Sequence, residues 1–471
     1  MARQKRGDNW VDVSLISFSS IAWTSLILEL SQGLRGIAAL IVVTYHLCSC
    51  FANWLNSPAI AEKGPASLFQ YPILRLVVGG RLAVSLFFVI TGYVSSLGAR
   101  KHIRNGDTDV ALSNLSKSTF TRTAKLVAPT NIGVFLAWLV CQLNGYRLAS
   151  KTDSNWIRGG ANTPGPTFGA ALNGLFRNLV LFWHSGGSEY DHTYWTIPFF
   201  LKGSMLVYLT ILATTFTRPI STKIILVFLY LFAWSGGQAL MEMNIYAGMF
   251  LAELNSDFGS RATSLIPAPI SALMIFIGLF LASFPDEHPE WMLWSRTVNT
   301  LASPFIPNGG ELNRYVISVG TIISVAGVFF SPHARRFLTT PAMNFLGKVS
   351  FPIYLLHNTL IRTVLCFFLY RNSVLAQGLH PVNAKGEPAW LERGGPLTFV
   401  ITITIFYTTL LYTAHLWTIH VDPRCERAVS WLSSKAFGEN NSPDLGEMEP
   451  LDGILKGMNE ETGPANGMDL R

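Results

Sequence analysis

The chain of 471 residues is 49% hydrophobic and only 13% charged, against the roughly 25% charge usual in soluble domains, and its mean hydropathy is +0.34. This composition describes a protein whose surface meets lipid, and it excludes an ordinary soluble domain. The formal charge of +7 does not point to nucleic acid, because the Lys and Arg residues are scattered between apolar runs rather than gathered on one domain.

The amino-terminal segment has Arg3 to Arg6, a Ser-rich stretch, Asp12 and Glu29, without a clean apolar core or a small-residue cleavage site. No cleaved signal peptide is expected. Residues 1–30 read as a cytosolic or interfacial segment, with 13–30 laid along the membrane surface. Apolar runs near the ~20 residues that a membrane helix needs follow at 34–53, 79–97, 126–143, 196–216, 222–236, 239–254, 265–284, 313–331, 350–370 and 396–417. They predict an all-α, polytopic integral membrane bundle of about ten helices.

Charge placement orients this bundle, since cytoplasmic flanks accumulate Lys and Arg. The segment with Arg100, Lys101, Arg104, Lys117, Arg122 and Lys125 is predicted to be cytosolic, as are Arg335, Arg336 and Lys348, while Asp286-Glu287 falls outside. Both termini are then cytosolic. The two glycosylation sequons, Asn114-Leu-Ser116 and Asn440-Asn-Ser442, lie on that side too and stay unused. The longest outward connection is 144–195, and long connections of this kind are usually functional or disordered. Residues 31–420 form the transmembrane domain, and 421–471 a cytosolic, largely disordered acidic tail with Gly and Pro and few large apolar residues.

The five cysteines, Cys48, Cys50, Cys141, Cys366 and Cys425, fall mostly in apolar stretches and leave an odd one out, which argues against a disulfide framework. Cys48-Ser-Cys50 lacks the four ligands of a structural zinc site, and no metal is expected. The sharpest chemical feature is Arg35-Gly-Ile-Ala-Ala-Leu-Ile-Val-Val-Thr-Tyr-His46. Eleven helical steps bring Arg35 and His46 within roughly 20° of one face and about 16 Å apart along the axis. An ionisable group at mid-membrane costs at least ~2.5 kcal/mol, so function is its default reading. Spacing alone serves equally a packing histidine and an arginine that snorkels to lipid phosphates.

Gly33-Leu-Arg-Gly-Ile-Ala-Ala-Leu with His46, followed by Ala83-Val-Ser-Leu-Phe-Phe-Val-Ile-Thr-Gly-Tyr93, resembles the opening of acyltransferase family 3, particularly its fungal branch. Trp195-Thr-Ile-Pro198 with Lys202-Gly-Ser204, Ala247-Gly-Met-Phe-Leu-Ala-Glu253 and Leu346-Gly-Lys-Val-Ser-Phe-Pro-Ile-Tyr-Leu-Leu-His357 continue the resemblance in order, over about residues 30–420. It implies a bundle of ten membrane helices that moves acetyl or similar groups from acyl-coenzyme A to hydroxyls of sugars, lipids or secondary metabolites. An arginine and a histidine with ten residues between them are that family's signature pair. Two departures stand out: Gln32 where the family commonly has Asp, and Phe200 where fungal relatives often have Glu.

The chemistry fits these residues. A hydroxyl attacks a thioester poorly until a neutral histidine takes its proton, so His46 is the expected base. The forked, permanently charged Arg35 suits the phosphates of a donor arriving from the cytosol, with acyl-coenzyme A, in the first place acetyl-coenzyme A, as cosubstrate rather than bound cofactor. His357 follows Tyr354 by about one turn, and both can face the site or simply bond a neighbouring helix. Lys202 is expected to contact substrate, with Trp195 at the outer mouth of the site; Arg362 reads as structural, Asp191 and His192 as loop polar groups, and Glu253 as an interfacial charge. The implied partners are a small-molecule or glycan hydroxyl acceptor and membrane lipids. The competing class is a transporter or flippase with intramembrane Arg, His and Lys along a solute path, which inverted repeats would favour and which none here supports.

Overall fold

The computed structural model describes residues 11–438 apart from Ala384, with side chains from Glu29 onward except Ser260. Among the described residues there is no strand, and only the isolated bridges Thr152↔Leu391 and Val382↔Pro388 interrupt an all-helical fold.

Helices stand at each of the ten apolar runs: α1 (Val11–Phe51), α2 (Gly80–Arg104), α3 (Thr108–Gln142), α4 (Ile197–Thr214), α5 (Pro219–Ser235), α6 (Glu242–Phe258), α7 (Ala268–Ala282), α8 (Leu312–Phe330), α9 (Ser350–Leu360) and α10 (Pro396–His420). A π-turn at Ile361–Leu365 and a further helix, Cys366–Gln377, extend α9. Seven helical segments among the described residues are long and apolar enough to cross a membrane. The other three are short. Helices α5 and α6 have 17 residues each and α7 has 15, a rise of about 22 Å for α7 against a hydrocarbon core of ~30 Å.

Helix starts follow local chemistry. Proline occupies the first turn of α4, α5, α7 and α10, where its missing N–H costs nothing. Helix α1 starts at Val11 and runs unbroken to Phe51, so the stretch expected to lie along the membrane surface is continuous with the first membrane helix. Residues Asp422–Phe437 form a further helix, which packs on α3 with Cys425 and Val429 buried and Phe437 against Phe120. The acidic stretch from residue 439 onward lies outside the described residues.

Helix α2 is the centre of the bundle, packed on α1, α3, α4, α6 and α8. Its crossing with α6 is close enough to demand glycine on both sides. A Cβ at Gly92 would stand 2.1 Å from the Ile245 carbonyl oxygen, and one at Gly248 would stand 2.1 Å from that of Val89.

Alternate connections gather at opposite ends. At one end Asp286 N–H donates to the Asn56 carbonyl at 3.2 Å, and Leu391 N–H donates to that of Lys151 at 2.8 Å. At the other, Asp257 on α6 pairs with Arg104 on α2 at 2.6 Å and Lys223 on α5 at 2.5 Å. Glu253, expected at the interface, is instead fully buried between Arg100 at 2.8 Å and Arg104 at 2.5 Å. The connection 143–196 is not structureless: helices Asn155–Gly159 and Phe168–Ser185 fold back on the bundle, where Trp138 donates to the Ala171 carbonyl at 3.0 Å.

Candidate active site

Helix α1 carries His46 to the contact with α9, where its Nδ1 lies 2.8 Å from Nε2 of His357. The two imidazoles are nearly coplanar, with 5° between ring planes and 5.0 Å between centroids. His357 is fully buried, and its Nδ1 is 2.8 Å from the Tyr354 carbonyl oxygen one turn earlier. His46 keeps some exposure; its Nε2 has no hydrogen-bond partner among the described residues and is not sealed in the interior.

The connection 143–196 covers this pair. Trp156, on the short helix Asn155–Gly159, stacks on His46 at 5.4 Å and 29°, and meets His192 edge-on at 4.7 Å. That short helix is pinned at several points: Ser154 caps it and donates to the Cys50 carbonyl at 2.8 Å, and Arg158 lies 3.9 Å over the Trp390 ring. A Cβ at Gly160 would fall 2.0 Å from Nη2 of Arg362 and 2.8 Å from Nδ1 of His192, so only glycine lets this backbone lie on that pair.

Behind His357, α9 widens into its π-turn, a feature frequent at functional sites, and Arg362 sits on it, fully buried. Its Nη1 donates to the Tyr190 carbonyl at 3.0 Å and its Nη2 to Nδ1 of His192 at 2.8 Å. Because a guanidinium only donates, His192 Nδ1 is the acceptor, and a neutral His192 carries its proton on Nε2. Asp191 is buried beside it. Its Oδ1 accepts from Thr193 N–H at 2.9 Å, Thr193 Oγ1 at 2.6 Å and Asn358 Nδ2 at 2.5 Å. Asp191 Oδ2, Asn358 Oδ1 and Arg362 Nε are buried without partners among the described residues. The loop groups Asp191 and His192 and the structural Arg362 therefore converge on the histidine pair, which sequence spacing did not show.

Tyr354 is buried with its phenol committed: the hydroxyl donates to the Thr193 carbonyl and lies 2.8 Å from Thr196 Oγ1, which then donates to it. It meets His357 through its backbone carbonyl and ring to ring, at 5.9 Å between centroids. Trp195 and Lys202 are not brought to the pair. Trp195 is 41% exposed, 6.0 Å from the Phe199 ring, and the exposed Lys202 has its Nζ 5.2 Å over the same ring. The spacing 195, 199, 202 is one helical face, turned outward, while Phe200 points inward to Phe87 and Phe88 at 5.8 and 5.0 Å.

Arg35 lies on α1 eleven residues before His46, about 16 Å along the axis. It has no hydrogen bond or ion pair among the described residues. The charge acting on it is another cation, Arg122 of α3, whose Nε is 3.4 Å from Ser204 Oγ on α4. Arg122 likewise has no acidic partner among the described residues, and the inward position one turn from Ser204 is the apolar Phe200. Arg35 on α1 and Arg122 on α3 thus both lack an acidic partner among the described residues, and His46 lies further along α1 with an open ring nitrogen.

Residues 31–415 match the family model described as an acyltransferase domain, and the chain belongs to that family, acyltransferase family 3. It is an enzyme that transfers acyl groups. Among curated relatives, O-acetyltransferase PaAT-1 of Phomopsis amygdali is 26% identical over 371 residues, covering 71% of this chain and 72% of that protein. Acyltransferase R4 of Phoma sp. (strain ATCC 20986 / MF5453) is 24% identical over 387 residues, and acyltransferase clz18 of Cochliobolus lunatus is 24% identical over 388, each covering 70% of this chain and 82% of the relative. No solved structure matches the chain.

Proposed function

We propose that the protein is an O-acyltransferase that moves an acetyl or other acyl group from acyl-coenzyme A, bound as cosubstrate, to a hydroxyl of a small-molecule or glycan acceptor such as a secondary metabolite. The observation that carries this reading is the placement, on one helix, of an arginine without a counter-ion among the described residues and a histidine with an open ring nitrogen. Arg35 and Arg122 hold the donor phosphates, the planar fork of each matching two phosphate oxygens. The rise of about 16 Å from Arg35 to His46 along α1 lets a pantetheine arm of comparable length lay the thioester beside the imidazole.

In the reaction the acceptor oxygen attacks the thioester carbonyl carbon while His46 takes the hydroxyl proton. The tetrahedral intermediate then expels the thiolate of coenzyme A, which receives that proton, leaving ester, thiol and neutral His46. The likeness to an O-acetyltransferase of Phomopsis amygdali supports acetyl as the first acyl group to test. The end of the bundle with Arg104, Lys223 and Arg122 faces the cytosol by the bias of basic residues toward that side, so donor arrives there and both termini lie there. Lys202 we assign to the lipid-facing surface of α4, and Trp195 to the same face of the turn that leads into it.

Purified protein in detergent, given radiolabelled acetyl-coenzyme A and a panel of hydroxyl acceptors, is expected to yield labelled ester, or slow release of labelled acetate when no acceptor fits. Intact donor under every condition, together with passage of a solute across vesicles carrying the protein, would support the transport class instead.

A further inference from the structure

We infer that His357 is a positioning residue that fixes the tautomer of His46, so that His46 Nε2 alone is the nitrogen that takes the acceptor proton. This rests on the reading of His46 as base and goes beyond it by assigning the working atom and the job of its partner.

The assignment follows from counting protons along three atoms. A carbonyl oxygen can only accept, so the 2.8 Å contact between His357 Nδ1 and the Tyr354 carbonyl requires a proton on that Nδ1. A neutral imidazole carries one N–H, which leaves His357 Nε2 with a lone pair. The 2.8 Å contact from His46 Nδ1 to that lone pair is a hydrogen bond only if His46 Nδ1 carries the proton. Neutral His46 therefore has its lone pair on Nε2, the one nitrogen of the pair with no partner among the described residues. The helix backbone thus sets the tautomer of a residue on another helix through one intervening ring.

The same bonds hold through the reaction. When Nε2 takes the proton, the imidazolium keeps Nδ1–H donated to His357 Nε2, a charge-assisted bond that strengthens as charge develops. His357 itself cannot reach substrate: it is fully buried and both ring nitrogens are engaged. The burial of the Asp191, Asn358 and Arg362 network beside it keeps α9 in the register that aims His357 at His46.

Two measurements test this. In protein labelled with ¹⁵N-histidine and held near neutral pH in detergent, His46, assigned by loss of its signals in His46→Gln, is expected to show a protonated Nδ1 and an unprotonated Nε2. A proton on Nε2 overturns the inference whether or not an acceptor has been found, so this outcome is separate from failure of the acyl-transfer reading, which shows as absence of any donor turnover by the wild type. The second is a pair of variants. His357→Gln keeps an acceptor toward His46 and a donor toward the Tyr354 carbonyl and is expected to lose about tenfold in kcat; His357→Leu removes both and is expected to lose about 10²-fold or more at unchanged donor KM. In His357→Leu the ¹⁵N spectrum should show His46 as a mixture of tautomers. Equal losses in the two variants, both folded by thermal unfolding, would refute the positioning role.

Discussion

Replacing Arg35 by Lys probes the donor end of the site without removing its charge. Lys keeps a cation on α1 but offers a point charge in place of the planar fork, so one of two parallel bonds to phosphate is lost. A hydrogen bond to a charged group contributes about 1.5–3 kcal/mol, and at about 1.4 kcal/mol per decade the donor KM should rise roughly 10- to 150-fold. The phosphates are distant from the reacting carbon and are held alike in ground and transition states, so kcat at saturation should change little. Arg122→Gln supplies the sign test. Arg122 repels Arg35 and has only a marginal 3.4 Å contact with Ser204, so its removal should weaken donor binding yet leave the donor-free protein at least as stable. Initial rates against acetyl-coenzyme A concentration and thermal unfolding with and without donor read both effects. Unchanged donor saturation in Arg35→Lys, or an Arg122→Gln protein that loses stability without donor, would show that these arginines serve lipid or packing instead.

Glu253→Gln should destabilise the bundle by about 3–5 kcal/mol, because it strands the buried Arg100 without its counter-charge; an unfolding midpoint equal to wild type would contradict this. Trp156→Ala removes a ring stacked on His46, a contact worth about 0.5–1.5 kcal/mol. Turnover should fall by roughly 2- to 10-fold at unchanged donor KM, and an unaltered kcat would place Trp156 outside the reaction chamber.

Most of the bundle was legible in the sequence because a membrane helix announces itself by length and hydropathy: each of the ten apolar runs is helical. The Arg35 and His46 pair was legible for the same reason, since both sit on one regular helix whose geometry fixes their spacing. The partners of His46 were harder to find. His357 comes from a residue 311 positions away, and Trp156, Asp191 and His192 come from a connection whose Gly, Asn and Pro content gives no period to read. Arg362 owes its direction to a π-turn that no hydrophobic pattern marks. Helical phase did carry one unused signal: Trp195, Phe199 and Lys202 share a face, with Thr196, Phe200 and Ser204 on the next, and the second set is the inward one.

The central claim, that His46 is the base of an acyl transfer, is tested most directly by the turnover of His46→Gln measured beside its abundance and unfolding midpoint. Gln keeps a hydrogen-bonding side chain toward His357 but cannot take up a proton near neutral pH. The expected result is a fall in kcat of about 10²-fold or more with stability held, because only the transition state loses a partner. Near wild-type turnover in a folded His46→Gln protein would remove His46 from the chemistry.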